Sequence, residues 1–162
     1  MKRAILPFVW TLATCFLVGC SENNPNPEPP KADPVFPADY ASTYTEVRNC
    51  RQSGDHDLNI IRVLADPTAL DPYQNQNVVF PVGAVVLKEE YDFADVTCAG
   101  PILRWTVMSR LATGSSPETL DWKWQEVDSA RKVVSEDLQR CIACHSSCTA
   151  ANGGFESTCA LP

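Results

Sequence analysis

Ile102-Leu103-Arg104-Trp105-Thr106-Val107-Met108-Ser109-Arg110-Leu111 is the stretch that decides the fold. In an extended chain successive side chains point to opposite faces, so Leu103, Trp105, Val107 and Leu111 fall on one side and Arg104, Thr106, Met108 and Arg110 on the other. The segment is rich in β-branched and aromatic residues and predicts a strand whose two surfaces differ in character. Working back, Val82 to Tyr91 reads as a second strand, with Val86, Lys88 and Glu90 on one face and Val85, Leu87, Glu89 and Tyr91 on the other. Leu58 to Leu64 is a third, broken by Asp66-Pro67, and Pro67 to Tyr73 suits a single helical turn capped by Asp66. Pro37 and Asp39 stand where a helix can start, and Tyr40, Tyr44 and Val47 recur at helical spacing, predicting an N-terminal helix up to Cys50. Working forward, Trp122–Val127 and Ala130–Val134 can pair as a hairpin across Asp128-Ser129, and Ser135 can cap a helix running into Cys141–His145. Helix, several strands, then helix is the order of an α+β domain dominated by one antiparallel sheet.

The ends of the chain differ from this middle. Lys2 and Arg3 precede an apolar run from Ala4 to Val18. A run of about 15 residues has the proportions of a secretory signal and is short for a membrane span. It ends at Leu17-Val18-Gly19-Cys20, which resembles the lipobox of bacterial lipoproteins; residues 1–19 would then be removed and Cys20 lipidated. Ser21 after that cysteine is the type of residue that sends such lipoproteins to the outer membrane, facing the periplasm. Residues 20–37 hold Asn23, Asn24, Pro25, Asn26, Pro27, Pro29 and Pro30 and few bulky apolar residues, as expected of a semi-stiff tether. Residues 38–162 form one domain, enough for a single hydrophobic core. Loss of the signal leaves 11 basic against 20 acidic residues, a net charge of −9. Such a surface repels phosphate backbones, and no basic stripe offsets it, which excludes nucleic acid as the expected partner.

Cys141-Ile142-Ala143-Cys144-His145 is the run with the most chemistry in it. Two thiols at this spacing can each form a thioether to one haem vinyl group, and the adjacent imidazole then lies under the iron as its axial ligand. One covalently attached haem c is the cofactor expected. Of the eight cysteines, Cys15 and Cys20 belong to the signal and lipid site, so Cys50, Cys98, Cys148 and Cys159 remain. In an oxidising compartment these four suggest two disulfides, with three pairings open. Economy of topology favours Cys50 with Cys98 and Cys148 with Cys159. A zinc or iron–sulfur site on Cys141, Cys144, His145, Cys148 and Cys159 is an alternative, as is a disulfide-stabilised surface lipoprotein without haem. Met108 as a sixth iron ligand would instead make an electron-transfer cytochrome. On its strand it reads more simply as a buried pocket residue, and His56 as a residue making a local hydrogen bond. Arg104, Arg110 and Lys123 are candidate partners for haem propionates, and Trp105, Trp122 and Trp124 candidate core residues.

Taken together, His56 opening a strand, Pro81-Val82-Gly83-Ala84 leading to Lys88, Thr106-Val107-Met108, Trp122-x-Trp124 and the terminal C-x-x-C-H resemble the cytochrome P-460 family and the related cytochrome c-prime-beta proteins. The resemblance implies a mainly antiparallel β fold, often dimeric, with a five-coordinate c-type haem and His145 as sole protein axial ligand. It also implies oxidation of hydroxylamine or binding of nitric oxide at the open position; export alone would make the electron partner another cytochrome outside the cytoplasm. Lys88 stands at the place where the hydroxylamine-oxidising members join a lysine to the porphyrin. Those members also carry a distal carboxylate, for which the strand around Thr106 has no equivalent: no acid occurs from Ile102 to Thr113. A proton acceptor would have to come from a neighbouring strand, with Glu90 and Glu126 as candidates.

Overall fold

Six segments of the chain pair edge to edge because each has one face to bury. The computed structural model describes residues 32–54 and 56–159. The signal segment 1–19, Cys20 and most of the 20–37 tether lie outside the described residues. The strands are β1 (Thr45–Gln52), β2 (Ile60–Ala65), β3 (Val85–Tyr91), β4 (Arg104–Arg110), β5 (Trp122–Asp128) and β6 (Val133–Glu136). They lie in sequence order in one sheet with every neighbouring pair antiparallel. Three short helices accompany them: α1 (Tyr40–Thr43), α2 (Leu70–Asn75) and α3 (Gln139–His145). The fold is α+β and mainly sheet.

The alternation seen in the sequence divides the sheet into two faces. One packs Phe36, Tyr40, Leu64, Leu87, Trp105, Val107 and Val127 into a closed core. Packing here reaches back to Phe36, at the end of the stretch read as tether, which is 2 % exposed. On this face the buried Glu89 carboxylate accepts hydrogen bonds from Tyr40, Tyr91 and Arg62, each at 2.7 Å, which satisfies a charge that would otherwise be costly to bury. The other face carries Ile61, Val63, Val86, Met108, Trp122 and Trp124 and is covered by α2, Phe80 and Ile142 of α3. Across this second face the register aligns Val63, Lys88, Thr106, Glu126 and Ser135 in one row. Lys88 thus sits at the centre of the sheet, directly beside Thr106.

Three local expectations are corrected. The N-terminal helix stops at Thr43, and the chain from Thr45 to Gln52 is the edge strand β1. Tyr40 and Tyr44 do stack as helical neighbours, with ring centroids 6.1 Å apart, but beyond them Thr45 and Val47 are β-branched and β2 offers an unpaired edge. Sheet pairing outweighs the helical spacing there. Ser135 does not cap the last helix: it lies in β6, and α3 follows Leu138, whose backbone is extended. Asp66 does cap the turn after β2, accepting from Thr68 N at 3.0 Å and Ala69 N at 2.6 Å, but the helix it precedes is Leu70–Asn75. The disulfide Cys50–Cys98 therefore ties an edge strand, and not a helix, to the loop after β3, while Cys148–Cys159 closes the C-terminal loop.

Candidate functional site

Helix α3 is seven residues long, too short to hold itself together, and is fixed by what it packs on. Ile142 is 6 % exposed and enters the cluster with Val63, Val86 and Trp124; burying a side chain of this size stabilises by about 2 kcal/mol. With Ile142 pointing into the sheet, Cys141 is half-buried beside it, Cys144 is exposed and His145 lies over Trp124, ring centroids 4.8 Å apart. Among the described residues Cys141 and Cys144 are the free thiols.

The ring of His145 is set by the C-terminal loop. Its Nδ1 lies 2.7 Å from the Ser157 carbonyl, which can only accept, so Nδ1 carries the proton and Nε2 is the basic nitrogen. Ser157 is placed by a turn with positive φ at Glu156 and Ser157, by the Phe155–Thr158 bridge and by the Cys148–Cys159 disulfide. Trp122 donates its indole N–H to the Glu156 carbonyl at 2.9 Å, and Arg110 pairs with the Glu156 carboxylate at 3.0 Å. The two tryptophans read as core packing therefore steer the histidine, one through contact and one through the loop. His145, Cys148 and Cys159 lie close enough to suggest a metal site, but the two sulfurs are spent on each other, which removes the zinc and iron–sulfur alternative.

Between α3, the C-terminal loop and the sheet lies a cavity of about 480 Å³, within the range of cofactor sites. Cys141, Cys144 and His145 line it together with Lys88, Glu90, His56, Met108 and Arg48. Burial pushes the Lys88 ammonium down to about 8, against a raising influence from Glu90 and a further lowering one from Arg48. The part of Lys88 that remains exposed faces this cavity. Its Nζ lies 2.5 Å from His56 Nε2, and His56 Nδ1 lies 3.1 Å from Glu90 Oε1. Glu90 is fully buried. Burial alone would raise its carboxyl, but hydrogen bonds from His56, Arg104 and Asn59 hold it down at about 2.

A family model described as cytochrome P-460 matches residues 37–155. The chain belongs to the cytochrome P-460 family. No curated protein matches it. Membership implies a c-type haem, and the cavity of this cytochrome P-460 family member fits one on its own chemistry. Two unpaired thiols stand beside an imidazole of fixed tautomer in a cysteine-rich chain whose other described sulfurs are all bridged. Arg48 and Ser135 also line the cavity, which gives it a cation and a hydroxyl beside the thiols and the imidazole.

Other expected roles are redistributed. Arg104 is committed to Glu90 at 2.8 Å and to Asp57, Arg110 to Glu156, and Lys123 to Glu136 at 2.9 Å, so the candidate propionate partners already have carboxylates. Met108 is 7 % exposed in the apolar cluster, as the simpler reading had it. His56 is corrected: it lies in the turn before β2, and its partners Glu90 and Lys88 are 34 and 32 residues away. Arg48 was missed altogether, because it sits on the segment read as helix.

Proposed function

We propose that this protein is a lipid-anchored, mono-haem c-type cytochrome that binds or oxidises small nitrogen species such as hydroxylamine or nitric oxide. The observation that carries this reading is the cavity that Cys141, Cys144 and His145 line together with Lys88 on one face of the sheet. Haem bound there would supply an iron with an open sixth position for ligand binding and one-electron redox chemistry. Cys141 and Cys144 would hold the group covalently, and His145 would offer Nε2 as axial ligand, its ring oriented by Ser157 and Trp124. Arg48, which lines the cavity, would offer its positive charge to a carboxylate of the group. Lys88, with an amine that loses its proton near pH 8, would serve as the porphyrin-linked lysine of the hydroxylamine-oxidising relatives. Electrons would leave to a cytochrome outside the cytoplasm. Export by residues 1–19, lipidation of Cys20, placement in the outer membrane and pairing as a homodimer complete the proposal. That Cys141 and Cys144 stay unpaired while four other cysteines bridge favours it over a haem-free lipoprotein.

The test is expression with c-type haem maturation, an absorption spectrum, and a denaturing gel stained for haem. Wild type is expected to retain haem on the gel, and the double variant Cys141→Ala, Cys144→Ala to lose it. A ferrous Soret band displaced strongly to the red in wild type and ordinary in Lys88→Ala would establish the cross-link. An ordinary five-coordinate band in both would leave Lys88 unlinked and favour gas binding, and no haem on the wild-type gel would overturn the reading.

A further inference from the structure

The chain lacks an acid on β4, yet the cavity holds a proton acceptor of another kind. We propose that His56, held in place by Glu90, takes up the proton of a protic ligand entering the cavity, so that an imidazole does here what a carboxylate would otherwise do. The inference rests on the haem reading above and adds to it the residue that handles the proton.

Glu90 cannot be that acceptor itself. Its Oε1 receives His56 Nδ1 at 3.1 Å and Thr106 Oγ1 at 3.2 Å, and its Oε2 receives Asn59 Nδ2 at 3.1 Å and Arg104 Nε at 2.8 Å. A fully buried carboxylate with four donors around it has no lone pair to offer and little tendency to protonate. Glu126 is engaged by Arg140 at 2.8 Å and Arg104 at 3.7 Å. The work Glu90 can do is positional. Being ionised it can only accept, so His56 Nδ1 must carry the proton and Nε2 is left basic, and the negative charge behind the ring stabilises the imidazolium that forms when Nε2 takes a proton. The His56 side chain is 20 % exposed and lines the cavity, so Nε2 can be reached. Lys88 Nζ, 2.5 Å away, shows where a donor meets it.

The charged groups that share the cavity with the ring are Lys88 and Glu90 of β3, Arg104 of β4, Arg48 and Arg51 of β1, Glu126 of β5, Glu136 of β6 with Asp137 after it, and Arg140 of α3, with Asp57 beside it in the turn. Lys88 is the one competitor. Its Nζ donates into the same Nε2 lone pair, so a ligand reaches that nitrogen once Lys88 is drawn off it, as the porphyrin link proposed above would do.

The experiment uses the haem-loaded ferric protein and azide as probe. Azide is an anion near neutral pH, and its binding as the protonated pair with His56 draws a proton from solution, which a pH indicator in weak buffer counts. Wild type is expected to take up close to one proton per azide bound in weakly alkaline solution. His56→Gln is expected to take up none and to bind azide about tenfold more weakly, the cost of one hydrogen bond to a charged group. Glu90→Gln is expected to move the midpoint of the uptake profile to lower pH, which a purely structural role would not do; a profile that does not move overturns the positioning role. Azide binding with no uptake in wild type, or uptake that survives in His56→Gln, overturns the inference alone. Uptake lost in Lys88→Met but kept in His56→Gln assigns the proton to Lys88 and overturns it equally. A protein with no covalent haem overturns the functional reading and this inference with it.

Discussion

Glu90 is a carboxylate that the fold keeps ionised, and that has a price in pH. Its folded carboxyl sits at about 2, against 4.5 for an ordinary glutamate. Because the folded value is depressed, the stability it contributes is complete above about pH 4.5 and is lost as pH falls towards 2. A separation of this size corresponds to on the order of 3 kcal/mol. The urea midpoint of the wild type is therefore expected to fall steeply across this window. Glu90→Gln should lose most of that slope, starting lower at pH 7 because Arg104 then loses its buried carboxylate and keeps only the more exposed Asp57 and Glu126. A Glu90→Gln protein with the wild-type slope would show that acid lability comes from other carboxylates. His56 belongs to the same group of contacts, and no local pattern could have announced it. The alternation of β3 put Lys88 and Glu90 on one face, but the histidine arrives from a turn 34 residues away from Glu90.

Among the elements, the C-terminal loop has the least freedom. Gly154 runs over the backbone of Cys148: a Cβ at this position would lie 2.5 Å from the Cys148 carbonyl carbon and 2.7 Å from its oxygen. Backbone cannot give way as a flexible side chain can, so Gly154→Ala must displace the loop that carries Ser157, the hydrogen-bond acceptor of His145. The expected result is a haem-loaded protein with a perturbed axial band and a thermal midpoint lower by several degrees, on the scale of about 1–3 kcal/mol for overpacking. An unchanged haem spectrum would show that Trp124 alone orients the ring. Elements differ in how far the sequence discloses them. The strands β3 and β4 could be read in full, because each lies in mid-sheet and sends alternate side chains into the two interiors. The edge strand β1 could not: it is mostly exposed, carries register shifts at Glu46–Arg48 and Arg48–Arg51, and so shows no period of two. Helix α3 covers the C-x-x-C-H run but begins only at Gln139, because its anchor is Ile142 on the sheet and not a cap at Ser135.

At the scale of the whole molecule, one sheet separates two kinds of interior. The face built on Trp105 is closed: its indole donates to Tyr40 at 2.9 Å, and Phe36 packs tilted at 5.7 Å and Tyr40 edge-on at 6.2 Å against it. The face built on Trp124 is hollow and carries the cavity. The strand order puts these two residues on adjacent strands but on opposite sides, so they share a backbone ladder and no side-chain neighbours. If the closed face is scaffold and the hollow face is site, truncation on each should separate stability from haem chemistry. Trp105→Leu is expected to lower stability by about 3 kcal/mol through lost packing and the lost indole hydrogen bond to Tyr40, while leaving the haem spectrum and azide affinity as in wild type. Trp124→Leu is expected to cost a comparable amount and also to shift both, because it removes the surface on which His145 rests. Equal spectral shifts in the two variants would mean that the sheet transmits strain from one face to the other, and that the two interiors act as one.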